Sequence, residues 1–423
     1  MPRKFISFLG AIPYEPARYF FDNNTALLSQ PTVYVQEAIF EKVLTDWQPT
    51  DAVIIFTTEQ ALHYNYQNRI TRGEGLLEGK GLEQILQRLS QQGRIGLFSA
   101  VNIPNGNTEE EIWAVFQTVF QSIAEGDELY FDITYGFRSL PMLGMVLLDY
   151  VRTLQQVKIR RIFYGNYEAG RNNQRPGEVV NAPVLDLTPF AQLQEWTAAA
   201  RAFLQGGNAE PIASLTEQNN PEISRNLRLF APAILTCRGL QITKDIDISS
   251  FKTLVDSSLT LPIAAQLRPL LEKIQEKLSP FSSDNLQNGL NAVKWCIDNG
   301  LIQQGYTFLQ ETMVSIVLER VLSSAYLTER KYRTNAGAAL NGIKPDRLRL
   351  RSDETIPNDE YTQLFDYVQR HPGLVDLYKR LIGHDGLRND INHCGFKTGY
   401  AMPSTLKDEL STLYQHLIQI NLQ

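Results

Sequence analysis

The chain has 423 residues, 43% hydrophobic and 20% charged, which is the composition of a globular protein with room for two or three domains. Its formal charge is −6, and no predicted domain has more basic than acidic residues, which excludes binding to nucleic acid by long-range charge alone. Its three cysteines are widely spaced and form no CxxC pair, which argues against a disulfide framework or a zinc site.

The first part of the chain alternates β-rich runs with amphipathic segments. Nearly continuous apolar runs predict strands at residues 4–10, 52–58, 94–103, 128–134 and 158–166. Helical patterns lie between them, at 34–47, 81–92, 108–124 and 139–155, and Thr108 with Glu111 forms a capping box for the third. This alternation predicts an α/β domain with a Rossmann-like doubly wound sheet. Residues 179–187 are expected to return as a hairpin at the edge of the domain.

Strand patterns fade after residue 188, and the rest of the chain is predicted to be all-α. Helices are expected at 192–204, 222–239, 263–277, 285–299, 305–326, 358–370, 373–382, around 388–393, and at 404–422. We therefore divide the chain into an α/β domain at 1–188, a helical connector at 189–290 and a C-terminal helical domain at 291–423.

The compartment follows from two further features. The N-terminus has no signal-peptide profile, and the longest apolar run, residues 142–148, is too short to span a bilayer. We expect a cytoplasmic protein that makes no membrane contact.

A polar, glycine-containing turn follows the strand at 128–134. Ligands of doubly wound sheets bind beyond the carboxyl ends of the strands, where helix N-termini present free N–H groups. Gly136 allows close backbone approach, Thr134 and Ser139 offer hydroxyls, and Arg138 supplies a positive charge. A capped strand-to-helix turn is the alternative interpretation, but capping alone does not require all four residue types.

Common nucleotide signatures are absent. The first turn, residues 10–13, lacks the G-x-G-x-x-G pattern, and Gly79-Lys80 matches a Walker loop poorly because Glu74 and Gly81 replace its first glycine and its Ser or Thr. A nicotinamide oxidoreductase and a P-loop ATPase are therefore disfavoured.

Near the C-terminus, Arg388 and His393 are five positions apart, and Asn389 lies beside the arginine. A histidine titrates near neutrality and can move the proton of a ribose 2′-hydroxyl, while a guanidinium can stabilise the charge that grows on phosphorus. The hexapeptide alone is a weak signal, since a solvated helix end explains it equally well. A basic cluster lies upstream, and a local patch for nucleic acid and a charged loop between helices explain it about equally well: Arg330, Lys331, Arg333, Lys344, Arg347, Arg349 and Arg351.

Taken together, the two ends of the chain resemble one family. The sheet with residues 132–139 resembles the CARF ligand-sensing domain of CRISPR-associated proteins, and residues 388–393 resemble the Arg-to-His motif of HEPN ribonucleases. Their order is that of the CARF–HEPN effectors of type III CRISPR systems, and the resemblance covers essentially the whole chain. The joint occurrence of the two short motifs is much more specific than either alone.

The resemblance implies a homodimer, or a higher oligomer, that binds a cyclic oligoadenylate as allosteric activator; family habit favours the tetra-adenylate ring. It also implies cleavage of single-stranded RNA in antiviral defence, with no metal and no cofactor. Arg388, His393 and Asn389 would be catalytic, and a 2′,3′-cyclic phosphate and a 5′-hydroxyl would be the products. On an ideal helix Arg388 and His393 diverge by ~140°, so two copies facing each other would complete one site.

We expect the activator to bind four loops at the carboxyl edge of the sheet, and we rank the last loop first because it combines glycine, hydroxyls and a cation. The expected residues are Gly10, Ala11, Pro13, Thr57, Thr58, Glu59, Asn102, Pro104, Asn105, Gly106, Thr134, Tyr135, Gly136, Phe137, Arg138 and Ser139. Two alternatives stay open at this point. One is a non-catalytic, ligand-gated regulator that binds a partner through its helical half, and the other is a HEPN toxin whose sensor recognises a different ligand.

Overall fold

The computed structural model describes residues 3–136, 140–172, 175, 177–246, 264–282, 286–383, 386–396 and 398–420. The chain divides into two compact units, Met1–Glu195 and Trp196–Gln423. The predicted α/β domain falls in the first unit, and the two predicted helical segments fall in the second, apart from residues 189–195. The three-part division of the chain stays a prediction.

A mixed seven-stranded sheet organises the first unit. Its strands, together with a separate two-stranded hairpin of β4 and β5, are β1 (Arg3–Leu9), β2 (Ala17–Phe21), β3 (Ala52–Thr57), β4 (Arg69–Thr71), β5 (Gly75–Leu77), β6 (Leu97–Asn102), β7 (Glu128–Asp132), β8 (Lys158–Gly165) and β9 (Val180–Asp186). The order in the sheet is β2-β9-β8-β7-β1-β3-β6. All neighbours run parallel except β8 and β9.

Both faces of this sheet are buried, as its apolar strands predict. Phe5 and Leu9 of β1 point into one core cluster, while Ile6 and Phe8 point into the other, because successive residues of a strand alternate in direction. The first cluster includes residues of helices α1 (Val35–Lys42) and α3 (Leu82–Gln91), and the second includes residues of α4 (Glu109–Gln121) and α5 (Leu140–Gln155). Helices on both faces confirm the doubly wound Rossmann-like sheet.

The capping box predicted for α4 is present in a slightly displaced form. The Thr108 hydroxyl accepts a hydrogen bond from the Glu111 amide at 3.3 Å, and the Glu111 carboxylate accepts from the Asn107 amide at 2.7 Å. These two contacts satisfy amide groups that the first turn of a helix leaves without partners.

Three features of the first unit differ from the sequence prediction. The hairpin partner β9 is not at the edge, because β2 pairs with it in parallel. The segment before β9 carries a short helix, α6 (Tyr167–Asn172), which the sequence did not predict. A three-residue helix, α2 (Glu59–Ala61), continues into a π-helical turn, Leu62–Gln67, ahead of the hairpin. Each of these elements is too short to give a recognisable period.

The second unit is helical, as predicted. Its helices are α7 (Thr188–Gly206, which begins in the first unit), α8 (Glu210–Thr216), α9 (Pro221–Leu235), α10 (Ala264–Leu278), α11 (Gln287–Asp298), α12 (Ile302–Val321), α13 (Arg330–Leu340), α14 (Asn358–Arg370), α15 (Pro372–Ile382), α16 (Leu387–Asn392) and α17 (Pro403–Gln419). Shorter helical turns are Gln241–Asp245, Ser324–Thr328, Pro345–Arg347 and Ser352–Glu354. Among the residues that the structure describes, no helix has the length and apolarity needed to cross a bilayer.

Helix α12 is the centre of this unit and packs against α11 and every later α-helix from α13 to α17. Close approach of α17 requires Gly305, since a Cβ atom at this position would lie 2.5 Å from the Leu410 side chain. The basic segment at 330–333, read as a possible charged loop, begins α13, which packs through the small side chains of Ala336 and Ala339. Helix α12 therefore connects the packing of the helices from α11 to α17.

Candidate functional site

A cavity of about 320 Å³ opens where β1, β3, β6 and β7 end, as expected for the binding edge of a doubly wound sheet. Residues from all four predicted loops contribute to its lining. Those residues are Gly10, Ala11, Thr58, Asn105, Thr134, Tyr135 and Gly136. We call this space the edge cavity.

The shape of the first loop is fixed by Asn65, which is fully buried in the π-helical turn. Its side-chain amide donates to the carbonyl oxygens of Gly10 and Ile12, both at 2.8 Å. The Gly10 amide donates in turn to the Tyr14 hydroxyl at 2.7 Å. A Cβ atom at position 10 would lie 2.8 Å from that hydroxyl, so the loop depends on glycine here.

The last loop is anchored by Asp132, which is fully buried at the end of β7. Its carboxylate accepts hydrogen bonds from the Ser7 hydroxyl at 2.7 Å, the Thr134 amide at 3.1 Å and the Thr134 hydroxyl at 2.6 Å. The Thr134 hydroxyl also accepts from the Gly165 amide at 2.8 Å. Asp132 therefore positions Thr134 by holding it between the loops that follow β7 and β8.

Burial raises the pKa of Asp132 to about 6, although the hydrogen bonds from Thr134 and Ser7 oppose this shift. The folded pKa lies above the unfolded value, so this group's contribution to stability is greatest below about pH 4 and is lost as the pH rises through 6. We expect the free energy of unfolding of the wild type, relative to Asp132→Asn, to fall by about 2 kcal/mol between pH 4 and pH 7.5, at 1.36 kcal/mol per pKa unit and with the unfolded carboxyl already about half ionised at pH 4.

Urea denaturation of both proteins at the two pH values measures this difference. The Asp132→Asn substitution changes stability at every pH. The effect of the carboxyl group is therefore read from how the difference in unfolding free energy between the two proteins changes from one pH to the other. An unchanged difference would show that Asp132 titrates near its ordinary pKa in the folded protein.

A second cavity, of about 440 Å³, shares Ile12, Tyr14, Thr134 and Tyr135 with the edge cavity. The rings of Tyr14 and Tyr135 stack 4.1 Å apart, and the Tyr135 hydroxyl donates to the Val33 carbonyl at 3.0 Å. This pair forms a rigid aromatic wall between the two spaces.

The second cavity also contains polar and charged residues that our sequence analysis missed. Arg72 comes from the β4–β5 hairpin and lies 3.8 Å from Glu15, while Arg171 comes from α6 and lies 4.0 Å from Glu168. Both arginines are more than half exposed, so these ion pairs are weak and the cations stay accessible to an anionic ligand. A short hairpin and a short helix give no sequence signal that would place them here.

The structure does not bring all the expected activator-binding residues to these cavities. Pro13 lines the second cavity but not the first. Within the described part of the chain, five of the expected residues line neither cavity: Thr57, Glu59, Asn102, Pro104 and Gly106. Phe137, Arg138 and Ser139, in the loop ranked first, lie outside the described residues.

The second candidate site is the Arg388–His393 segment. Arg388 lies in the six-residue helix α16, and the exposed His393 is the C-cap residue that ends it. The His393 amide still donates to the Asn389 carbonyl four positions earlier, at 3.0 Å, so the histidine continues the last turn and the divergence of an ideal helix still describes this pair. His384, which precedes this segment, lies outside the described residues.

Two asparagines, Asn389 and Asn392, make hydrogen bonds that position this segment, and the sequence analysis assigned a role only to Asn389. With its amide in the orientation that satisfies both partners, Asn392 accepts from Arg388 Nη1 at 3.0 Å and from Nε at 3.1 Å. The Asn389 amide instead donates to the carbonyls of Ile382 and Gly383, at 3.1 and 3.2 Å, and so caps the end of α15. Among the described residues, no side-chain hydrogen bond joins Asn389 to His393, although the His393 amide donates to the Asn389 carbonyl at 3.0 Å.

Arg388 is half-buried beside the wall formed by α12, on which α16 packs. Burial raises the pKa of Tyr378 to about 12 and also raises the pKa of the Cys237 thiol, and the positive charge of Arg388 opposes both shifts. Arg388 therefore lies within electrostatic reach of both side chains.

Three exposed apolar residues follow the histidine in the chain. Phe396 is 92% exposed, and Tyr400 and Met402 are more than half exposed. The upstream basic cluster is partly neutralised, because Arg330, Lys331 and Arg333 pair with Glu354, Glu329 and Glu311 at 3.1, 3.7 and 2.6 Å. Aromatic rings next to a histidine and an arginine suit the stacking of unpaired bases.

Comparison with known proteins identifies two parts of the chain. Residues 4–168 match the family model for the CARF domain of the CRISPR system endoribonuclease Csx1. Residues 192–284 match the model for the second domain of the CRISPR-associated protein MJ1674. The first match includes the strands whose loops line the edge cavity.

Individual proteins give a consistent but partial result. The CRISPR-associated protein MJ1674 of Methanocaldococcus jannaschii is 28% identical over 248 residues, which is 55% of this chain and 36% of that protein. The chain thus spans about a third of the length of this curated relative. A solved structure, Enterococcus italicus Csm6 bound to cyclic hexa-2′-fluoro-hexa-dAMP, aligns over 99% of this chain and 94% of its own with 13% identity and a TM-score of 0.34. The assignment of the first unit rests on the sequence match over residues 4–168.

Proposed function

The chain is a CARF-containing CRISPR-associated protein, and from this premise we propose that it is a cyclic-oligoadenylate-activated endoribonuclease of a type III CRISPR system. The observation that carries the proposal is the presence of a CARF domain in one unit and of the Arg388–His393 pair in a separate helical unit. A ligand-sensing domain joined to a phosphodiester-cleaving pair is the arrangement expected of a regulated nuclease.

The edge cavity and the second cavity are where we place the activator. A cyclic oligoadenylate presents phosphates and adenine bases, and these cavities offer loop backbone, the Thr58 hydroxyl, an aromatic wall and nearby arginines. Hydrogen bonds and stacking together can bind both parts of such a ligand. We take the tetra-adenylate ring as the first ligand to test.

Asn65→Ala should weaken binding of cyclic tetra-adenylate by about tenfold, because the loop carbonyls of Gly10 and Ile12 would lose their shared donor. Isothermal titration calorimetry of the full chain measures this affinity. Gln67→Ala is the matched control, since Gln67 is exposed in the same π-helical turn. Equal affinities of the two variants would place the activator away from this loop.

In the proposed reaction the ribose 2′-oxygen attacks its own phosphorus, so the O2′–P bond forms and the P–O5′ bond breaks. His393 takes the 2′-hydroxyl proton, and a histidine returns a proton to the leaving 5′-oxygen. Arg388, oriented by Asn392, stabilises the charge on the pentacoordinate phosphorus. The products are a 2′,3′-cyclic phosphate and a 5′-hydroxyl.

Product analysis tests this chemistry. Single-stranded RNA incubated with the protein and excess EDTA should yield fragments with 2′,3′-cyclic phosphate ends, because the attacking oxygen belongs to the substrate. Cleavage that strictly requires a divalent metal, or that leaves a 5′-phosphate, would contradict the mechanism.

A homodimer is part of the proposal, and α5 offers a surface for it. Met142, Val146, Tyr150 and Leu154 recur every four residues on this helix and are 45–73% exposed, with the exposed Trp113 of α4 nearby. Helix α5 begins directly after the loop that lines the edge cavity. A second copy on this stripe would bring two such loops to one symmetry axis, where a ring with rotational symmetry can contact both.

A further inference from the structure

The second unit contains a cavity of about 530 Å³ that the proposed reaction does not use. Its volume is typical of pockets that bind small molecules. Leu240, Leu286, Phe308 and Leu327 supply apolar walls, and the carboxylate of Glu311 supplies an acceptor. We call this space the helical cavity.

Glu311 is held in place by one arginine. Arg333 donates from Nη2 to Glu311 Oε2 at 2.6 Å, and its Nη1 donates to the Ser315 hydroxyl and the Leu327 carbonyl, both at 3.0 Å. Among the described residues, no donor reaches the other carboxylate oxygen, Oε1. The ion pair therefore fixes the Glu311 carboxylate, while Oε1 and the second lone pair of Oε2 remain available to donors of a ligand.

The helical cavity lies beside the proposed nuclease site. Glu311 is on α12, and the helix that carries Arg388 packs directly on α12. Cys237, which lines the cavity, lies within electrostatic reach of Arg388. A nucleotide whose phosphate contacts Arg388 could thus place its own base or a neighbouring one in this cavity.

We propose that the helical cavity binds a guanine base of the RNA next to the scissile phosphate, with Glu311 accepting hydrogen bonds from the guanine N1–H and N2–H groups. The inference rests on the proposed function for the identity of the substrate, and it adds a base preference to it. The apolar walls would cover the faces of the base, as in other sites for unpaired bases.

The choice of guanine follows from the donors on each Watson–Crick edge. A carboxylate only accepts hydrogen bonds, so it favours an edge with two adjacent donors. Guanine has this arrangement, whereas adenine and cytosine place an acceptor nitrogen beside their amino group, and uracil flanks its single N–H with two carbonyls. Each of these three bases would bring a lone pair against the Glu311 oxygens, and a site built for specific hydrogen bonds rejects such ligands strongly.

Thiol alkylation tests binding without any need for cleavage. Cys237 is partly exposed in the cavity wall, Cys296 is buried, and Cys394 is exposed outside the cavity lining. We expect 5′-GMP to slow N-ethylmaleimide labelling of Cys237 about tenfold, read by peptide mass spectrometry, while AMP, CMP and UMP at the same concentration change it less than twofold. Labelling of free glutathione in the same reaction shows whether a nucleotide affects the reagent generally; Cys394 does not serve for this because it adjoins His393.

Glu311→Gln should abolish the difference between GMP and the other nucleotides, because the amide replaces an acceptor with a donor. Glu319→Gln is the matched control, since Glu319 is exposed on the same helix outside the cavity lining, and it should behave as the wild type does. The proposal would be overturned if all four nucleotides protected Cys237 equally, or if none of them protected it. This comparison needs only the wild-type protein. Guanine-selective protection in a protein that fails to cut RNA would instead refute the proposed nuclease function and leave the base site standing.

Discussion

His393→Ala is expected to reduce RNA cleavage by about a hundredfold or more, while dimerisation and activator affinity stay within about twofold of the wild type. The histidine is exposed at the end of α16 and takes no part in a described core cluster, so its removal should not unfold the domain. Arg388→Ala should have a loss of similar size, because the guanidinium acts on charge that exists only in the transition state.

Single-turnover cleavage of an end-labelled RNA, at saturating activator, measures the effect. His416→Ala is the matched control, since His416 is also an exposed histidine of the second unit. Residual activity above a few per cent in both active-site variants would remove Arg388 and His393 from the mechanism and favour a non-catalytic, ligand-gated regulator.

Val146→Glu is expected to convert the dimer into a monomer and to abolish activator-dependent cleavage. It places a charge in the middle of the exposed apolar stripe on α5, where a second copy would have to bury it without a partner. Both functions would be lost together, because the proposed activator site and the proposed nuclease site each need two copies of the chain. Sedimentation at micromolar concentration, with and without cyclic tetra-adenylate, measures the assembly.

Val179→Glu is the control for this substitution, because Val179 is an exposed valine of the same unit that lies outside the stripe. The wild type should be a dimer before activator is added, since a ligand shifts an equilibrium only through its different affinity for two existing states. If the Val146→Glu protein remains a dimer, the dimer interface does not include the apolar stripe on α5. If the wild type dimerises only when ligand is added, the ligand activates the protein by assembling the dimer and not by shifting an existing dimer between two states.

The sequence predicts the sheet well because its strands are apolar on both faces. Consecutive residues such as Phe5 and Ile6 are both apolar and point to opposite faces of the sheet. This pattern predicts a strand that is buried on both faces, as in a parallel sheet. Strand β2 was missed because it has only five residues and lies between a proline-containing loop and a turn. Its pairing with β9 is a long-range contact, and no local pattern encodes such a contact.

The same limit applies to the candidate sites. Residues that line the edge cavity, such as Thr134 and Gly136, are visible as a motif after a strand, and the Arg388–His393 pair is visible as a second motif. The residues that hold them are not, because Asn65 bonds to backbone 53 and 55 positions away and Asp132 reaches Ser7 across the sheet. Side-chain bonds to distant backbone depend on the finished fold, so a structure is needed to find them.

One measurement tests the central claim most directly. The purified chain is incubated with labelled single-stranded RNA in excess EDTA, with and without cyclic tetra-adenylate, and with the tri- and hexa-adenylate rings and linear tetra-adenylate in parallel. The account predicts cleavage that requires one of the rings, is not reproduced by the linear molecule, and is lost in His393→Ala. RNA that stays intact with every ring would contradict it, and so would RNA that is cut equally well with none.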